Sequence, residues 1–573
     1  MKYPLLNTKL LTVTFFLLFL SLLQNNEEIP INLLDDVVIT TKNIPINLKP
    51  YLNDENLPQL GTVTTINPSN GVLTVNNNNT PNDFSDDSIT YKPNPGFSGI
   101  DSFDYTVCDA TNADNCDTAT FTITVEEEIS TELKAFPTAL GDGAYTTGGR
   151  GGIVVHVTNL NDSGSGSLRE ALNMTVPRIV VFDVSGVINL NSHIGLGSSN
   201  SNVTIAGQTS PEGGITVAGN RLYASGVTNV ICRYIRFKGG VGANNDSVSI
   251  TGSIQNHIFD HCSFGFGTDE GASWYSQSSN GTDQNYITIQ RCLWNENVKG
   301  SILGKDTAKG GTPPTGSFIS NMFYNSGYRF PNLASSGVGQ FDVINNVAWN
   351  VTNRLIRGDG PFKLNHIGNY YNYGTKGIID KRTNLFRIGS MPQIYNSNNK
   401  IVAQSESSPL THSVSEMNAD GDKSWGFFQD GGGYDYGDRL MSAYFTNTQH
   451  TLLGPAFSLL TAEQALADVS SNVGCNARLN ADGSVSGNLD TLDANALNQV
   501  SQGKYVSKLE RAAYVVPSIS SVKRPEGYDT DKDGMPDLWE TLNGYNKNID
   551  DSAEDRDGDG YTNIEEFLNR TLD

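Results

Sequence analysis

Two twelve-residue runs near the end of the chain carry the strongest chemical pattern in the sequence. Asp529, Asp531, Asp533, Asp537 and Glu540 stand at positions 1, 3, 5, 9 and 12 of the first, with Gly534 at position 6. Asp555, Asp557, Asp559, Asn563 and Glu566 fill the same places in the second, with Gly560 at position 6. Oxygen donors alternating around a turn that favours glycine, closed by a glutamate able to offer both oxygens, suit a hard cation. This is EF-hand spacing, and each run is expected to hold one Ca²⁺. Residues 525–573 carry 15 acidic and 4 basic side chains, a net charge of −11 that would repel itself without such ions. Calcium here is expected to be structural.

The whole chain has 573 residues, 38 Lys and Arg against 61 Asp and Glu, and a formal charge of −23. So acidic a balance argues against nucleic acid as a partner. The acid sits at the two ends. Residues 27–127 hold 16 acidic and 3 basic side chains, whereas the middle is nearly neutral. With 37% hydrophobic and only 17% charged residues, and with 58 glycines, the chain reads as folded, turn-rich and β-rich. Lys2 and Lys9 precede an apolar run from Leu10 to Leu23, which is expected to be a signal peptide over residues 1–25. No later run is long enough to cross a bilayer. The mature chain is expected to be secreted, extracellular or at the cell surface, without a transmembrane span, and monomeric.

Residues 27–128 alternate apolar and polar positions between Asn, Pro and Gly punctuation, as in Gly71-Val72-Leu73-Thr74-Val75. An antiparallel β-sandwich is expected there, with Cys108 and Cys116 placed to close a hairpin. The stretch from Ile89 to Val107 resembles the cadherin-like or Ig-like repeats of bacterial surface proteins, which implies a spacer or adhesive role.

The middle, residues 132–524, contains a repeat. Short apolar strands such as Val230-Ile231-Cys232-Arg233, Ile258-Phe259-Asp260, Ile287-Thr288-Ile289, Phe318-Ile319 and Val343-Ile344 recur. Aligning one position in each gives 235, 262, 292, 321, 347, 369 and 396. Units this short cannot bury their faces alone and must stack. One strong strand per repeat, with variable loops and few amphipathic helices, predicts a right-handed parallel β-helix. The aligned position reads Cys262, Cys292, Asn321, Val347, Asn369 and Asn396, a partly polar interior stack. The cysteines lack zinc-ligand spacing and read as packed thiols. The fold expected for the chain is all-β: sandwich, β-helix, then a small calcium module over 525–573.

At this point the residues carry a resemblance. Gly148-Gly149-Arg150-Gly151-Gly152, the run from Val157 through Asn161-Asp162-Ser163-Gly164-Ser165-Gly166-Ser167-Leu168-Arg169-Glu170, and Phe259-Asp260-His261-Cys262-Ser263 follow one another in order. Together they resemble bacterial pectate lyases of polysaccharide lyase family one, over most of 135–400. The tail resembles the dockerin or thrombospondin-like calcium segments that follow such enzymes. The resemblance implies calcium-assisted β-elimination on an acidic polysaccharide, polygalacturonate. Asp246 falls where the family places a metal aspartate, and Asp269 and Glu270 lie about one coil later. Asn244 and Ser273 stand where two further metal aspartates would be. Lys299 matches the lysine that binds the substrate carboxylate, and Arg329, in Arg329-Phe330-Pro331, the arginine assigned as base.

Abstracting a proton beside a carboxylate requires that carboxylate's charge to be neutralised, which carboxylate-held calcium and a lysine or arginine would do. A guanidinium near its ordinary pKa is a poor base, so Arg329 would need neighbouring cations and a shielded site. The family's second arginine is replaced by the stretch from Asn332 to Ser336, so Arg354, Arg357 or Lys363 is expected to supply that charge. Arg354 and Arg357 are expected substrate contacts beside Lys299. A hydrolase would need two facing carboxylates, and adjacent Asp269 and Glu270 are expected to point apart. Two alternatives stay open: a lyase on another uronate polymer, such as an algal one, and a non-catalytic polysaccharide-binding β-helix.

Overall fold

The computed structural model describes residues 30–572 apart from 43–44, 49–50, 52, 78, 81–82, 84–86, 95–96, 127–131, 240–244, 277–282, 307–310, 352–354, 375–391, 404–443 and 511–512. The leader and Asn244 lie outside the described residues. The chain divides into two compact units, residues 1–129 and 130–573.

In the first unit, Asp36–Thr41, Cys116–Glu126, Gly99–Asp109 and Gly61–Thr65 form a four-stranded sheet in that order, and Ile46–Leu48, Ser88–Pro93 and Gly71–Asn76 a three-stranded one. Alternation along each strand turns Ile89, Tyr91, Phe103, Tyr105, Phe121 and Ile123 inward to a common core. One expectation is corrected. The sandwich is not wholly antiparallel, because Asp36–Thr41 runs parallel to Cys116–Glu126 along its edge. Cys108 and Cys116 face one another across the hairpin and are disulfide-bonded.

The second unit is a parallel β-solenoid. Each rung contributes a strand to up to three sheets: a first of ten strands from Ile153–Val157 to Gln393–Ser397, a second of ten that runs from Val184–Asn189 to Lys400–Ala403 and includes Val522–Lys523, and a third of seven. The ladder pairs are parallel except where Val522–Lys523 adds antiparallel to the first strand of the second sheet. The turn from the first sheet to the second passes through a left-handed residue on successive rungs: Tyr234, His261, Arg291, Ser320, Asn345, Gly368 and Asn398. The residue after each points inward. Asn321 donates to Asn346 at 2.9 Å, Asn346 to Asn369 at 3.0 Å and Asn369 to Asn399 at 2.8 Å. This corrects the register read from sequence. The stacked positions are 346 and 399 rather than 347 and 396: Val347 turns to the cluster under two covering helices, and Asn396, though buried, sits in the preceding strand and accepts from Asn399. On earlier rungs the thiols of Cys262 and Cys292 continue the stack, with Cys292 N–H donating to Asn321 at 2.9 Å. All but the half-buried Asn399 are buried, so amide-to-amide pairing satisfies groups that would otherwise be costly inside. Around them Trp294 stacks on Phe323 at 4.6 Å and meets Phe264 at a tilt at 4.8 Å.

The chain then returns along the solenoid. Helices Ala462–Ser471 and Thr491–Ser501 cover Met322, Val347 and Trp349 of the second sheet, and Lys238 is buried between Asp490 at 2.5 Å and Asp493 at 3.2 Å. Further on, Leu509 N–H donates to Glu296 at 2.7 Å and Tyr514 stacks on Phe266 at 4.7 Å, strapping the turns that lead into the third sheet. The calcium-loop segment belongs to this same unit. Met535, Trp539, Ile564 and Phe567 share a core with Ile179 and Val181, and Arg150 pairs with Glu565 at 2.8 Å.

Candidate active site in a charged cleft

The seven-stranded sheet comprises Ile194–Leu196, Leu222–Ser225, Val248–Thr251, Glu270–Ser276, Lys299–Lys305, Asn332–Ala334 and Arg357–Asp359. Leu222, Val248 and Ala272 share one inward column, and Ala224, Ile250, Trp274, Leu303 and Leu333 the next. The alternate column faces out and reads Tyr223, Ser249, Ser273, Ile302, Asn332 and Arg357. These side chains floor a cleft of about 560 Å³.

Charged groups gather where the strands begin. Counting back along the register from Val248 and Ala272 brings Asp246 level with Glu270, Glu270 pairs with Lys299, and Lys299 is level with Arg329 on the next rung. Asp246, Asp269 and Glu270 each offer an oxygen within 4.8 Å of the others, so three carboxylates converge on one point that could hold a metal ion. Asp269 precedes its strand, and the bend there overrides strand alternation. The expectation that Asp269 and Glu270 point apart is corrected on that ground.

Asp246 is anchored most firmly. It accepts from Glu270 N–H at 3.0 Å, Ser249 Oγ at 2.8 Å and Ser273 Oγ at 2.5 Å. Burial pushes its pKa up, and the two hydroxyls, Arg221 and Lys299 oppose that shift. Ser273, in the place of a family aspartate, thus orients one carboxylate instead of adding another. Lys299 is ion-paired with Asp269, and Arg329 with Glu270. Arg329 holds a left-handed backbone, φ 74°, with its carbonyl fixed by Ser301 N–H at 2.9 Å. Burial, reinforced by the charge of Arg357, lowers the Arg329 pKa to about 10. Burial and the Arg357 charge disfavour the charged guanidinium, whereas Asp246 and the ion pair with Glu270 favour it.

Of the candidates for the missing charge, Arg357 lines the cleft, while Lys363 sits on Phe362–Ile367 of the first sheet and Arg354 lies outside the described residues. Sequence reasoning missed Arg221 and Tyr223, which line the cleft on the rung before Asp246. Their signal was two polar side chains one repeat upstream of the metal aspartate, legible only once the register is known. The cleft thus carries four cations (Arg221, Lys299, Arg329, Arg357) against four carboxylates (Asp246, Asp269, Glu270, Asp359).

In the tail, positions 1, 3 and 5 of both loops converge: Asp529 with Asp531 and Asp533, and Asp555 with Asp557 and Asp559. Asp529 accepts from Lys532 and Gly534 N–H, and Asp555 from Gly558 and Gly560 N–H. The position-9 side chains close the loops, Asp537 accepting from Thr530 N–H at 2.7 Å and Asn563 from Arg556 N–H at 3.2 Å. In the first loop both oxygens of Asp531, both of Glu540 and one of Asp533 are buried without a hydrogen-bond partner among the described residues. An all-oxygen set left so unsatisfied fits a hard divalent cation. Burial and the surrounding acids push Asp533 and Glu540 up to about 8. Glu566 of the second loop is raised to about 6 by the same causes.

Fold and site together define a parallel β-solenoid enzyme with a carboxylate-and-cation cleft. Residues 27–124 match the bacterial Ig domain family. Over 452 residues the chain is 33% identical to the protein named "Probable pectate lyase C" of Emericella nidulans, covering 77% of this chain and 93% of that one. Its namesake in Aspergillus oryzae is 33% identical over 76% of this chain and 94% of its own. A Bacillus subtilis protein named pectin lyase is 30% identical over 47% and 74%. A solved pectate lyase of Bacillus sp. N165 is 14% identical, covering 58% of this chain and 98% of its own, with a TM-score of 0.39. The chain belongs to the pectate lyase family, and it is a lyase.

Proposed function

We propose that the chain cleaves pectate, a polymer of galacturonate, by calcium-assisted β-elimination, leaving oligouronides with a 4,5-unsaturated end. The observation that carries this reading is the convergence of Asp246, Asp269 and Glu270 within 4.8 Å, one rung from Lys299 and two from Arg329. Three hard oxygen donors of this kind suit Ca²⁺. Calcium, when bound, supplies positive charge beside the uronate carboxylate and acidifies the adjacent C5 proton.

Lys299 pairs with the substrate carboxylate and offsets charge that develops as the C5 proton leaves. Arg329 takes that proton in its neutral form, the C5–H electron pair becomes the C4–C5 double bond, and the bond from C4 to the glycosidic oxygen breaks, that oxygen taking a proton from water. Arg357 keeps Arg329 acidic enough for this and binds a further carboxylate. The balance of four cations and four carboxylates becomes positive when a divalent ion is added, which favours a polyanionic substrate. We propose further that the leader over residues 1–25 exports the chain, and that each tail loop holds a structural Ca²⁺. No helix among the described residues is long and apolar enough to cross a membrane.

The test is direct. The mature chain is incubated with polygalacturonate and with algal uronate polymers, with Ca²⁺ or with chelator, while ultraviolet absorbance follows unsaturated ends. A rise on polygalacturonate that chelator abolishes is expected. No rise on any polymer, with binding retained, would leave a polysaccharide-binding solenoid.

A further inference from the structure

Resting on the lyase reading above, we propose that Arg221, laid on the Tyr223 ring, forms a carboxylate-binding subsite for the uronate chain. It lies on the opposite side of the metal carboxylates from Lys299 and Arg329. Three of the four cleft cations already have carboxylate partners: Lys299 with Asp269, Arg329 with Glu270, and Arg357 with Asp359 at 3.7 Å. Among the described residues no carboxylate lies within ion-pair distance of Arg221. A cleft guanidinium with no carboxylate in ion-pair contact is open to an anion, and its planar fork matches a carboxylate with two parallel hydrogen bonds.

The site is also held in place. The guanidinium carbon lies 5.1 Å from the Tyr223 ring centre, and that ring meets His193 edge-on at 5.8 Å. Stacking on an aromatic face restricts the plane of the fork before any ligand arrives. In the outward column Tyr223 is flanked by Gly195 and Ser249. A Cβ at Gly195 would come 3.3 Å from His193 Nε2, so glycine leaves the imidazole room beside Tyr223. Small neighbours on both sides keep the ring accessible as a wall for a sugar face.

Position gives the subsite its consequence. Arg221 is one rung before Asp246, and Arg357 is five rungs beyond Arg221. At the usual strand spacing that is a span of about 24 Å. A polymer lying along the sheet meets a cation at each end and the reaction centre between them. Affinity should therefore grow with chain length until both ends are reached.

The experiment measures kcat and KM with saturating Ca²⁺ on galacturonate oligomers of three and six residues, for the unmodified chain, Arg221→Gln and Tyr223→Leu. The expected result is a KM on the hexamer raised about tenfold to a hundredfold by Arg221→Gln, the loss of one charged hydrogen-bonding group. A smaller rise is expected on the trimer, with kcat nearly constant and a milder effect from Tyr223→Leu. An unchanged hexamer KM overturns the proposal, as does a fall in kcat at constant KM, which would place Arg221 at the metal carboxylates. Calorimetric binding of the hexamer separates this proposal from the one beneath it. Binding without cleavage that Arg221→Gln weakens keeps the subsite and sinks the lyase reading, whereas absence of both cleavage and binding overturns both.

Discussion

Arg357 bears on Arg329 from the following rung of the cleft sheet, and the repulsion between the two guanidinium groups adds to burial in lowering the Arg329 pKa to about 10. Asp246 pulls the other way. Neither arginine has to move for this: the stacking of rungs alone brings two cations separated by 28 positions of sequence into one electrostatic neighbourhood.

The pH dependence follows. Only neutral Arg329 accepts a proton, and its fraction rises about tenfold per pH unit below the pKa. With Ca²⁺ saturating, kcat should climb through neutral pH and level near pH 10. Arg357→Gln removes one cause of the lowered pKa, so the profile should shift to higher pH and the rate at pH 8 should fall. A flat profile from pH 7 to 10 would remove Arg329 from the role of base.

Arg329→Ala should cost about 10²–10⁴ in kcat, the usual worth of a positioned base. Its circular dichroism and thermal midpoint should stay close to those of the parent, because the side chain meets the cleft and not the core. Retention of more than a tenth of the activity by this variant would move the base elsewhere.

Asp246→Ala should remove one calcium from the stoichiometry measured by calorimetry and abolish elimination, since Asp246 is the best anchored of the three carboxylates. Ser273→Ala deletes only a hydroxyl that orients Asp246, and should weaken that calcium without removing it. An unaltered calcium count in Asp246→Ala would place the ion at other residues.

The tail predicts a pH-dependent stability in chelator. Asp533 and Glu540 are raised to about 8 when folded, against roughly 4 in an unfolded chain. The folded state therefore binds those protons more tightly, and stability present below pH 4 is lost as pH rises toward 8. In chelator the thermal midpoint should drop between pH 5 and 8. In Ca²⁺ the drop should be suppressed, because the ion takes over the neutralising role of the protons. Equal slopes with and without Ca²⁺ would mean that these acids hold no ion.

Inside the solenoid, Asn346→Leu should destabilise by about 1–3 kcal/mol for each buried group left unpaired. The Asn321 N–H would lose its acceptor and the Phe318 carbonyl its Asn346 amide donor, while Asn321 Nδ2 keeps the Ile289 carbonyl and Asn369 Oδ1 keeps the backbone N–H of residue 346. Urea unfolding is the check, and a neutral effect would show that the ladder carries no net energy.

Several of these features were legible in the sequence. Local patterns carry their own geometry: the alternation of acids around Gly534 and Gly560, the strand recurrence, and the alternating runs of the first unit each follow from short-range backbone preference. The order Asp246, Asp269, Lys299, Arg329 could be read because a solenoid converts sequence order into spatial order along one axis. What the tertiary structure alone decided depends on register and on chain return. Spacing alone could not tell the stacked Asn346 and Asn399 from the nearby buried Val347 and Asn396, because the exact turn residue on each rung is set by the register. Asp269 and Glu270 point together because a bend precedes the strand. Arg221 and Arg357 join the cleft only when rungs far apart in sequence are stacked. Likewise, the tail shares a core with Ile179 and Val181 because the chain runs back along the solenoid after completing it, a contact across more than 350 residues that no local pattern encodes.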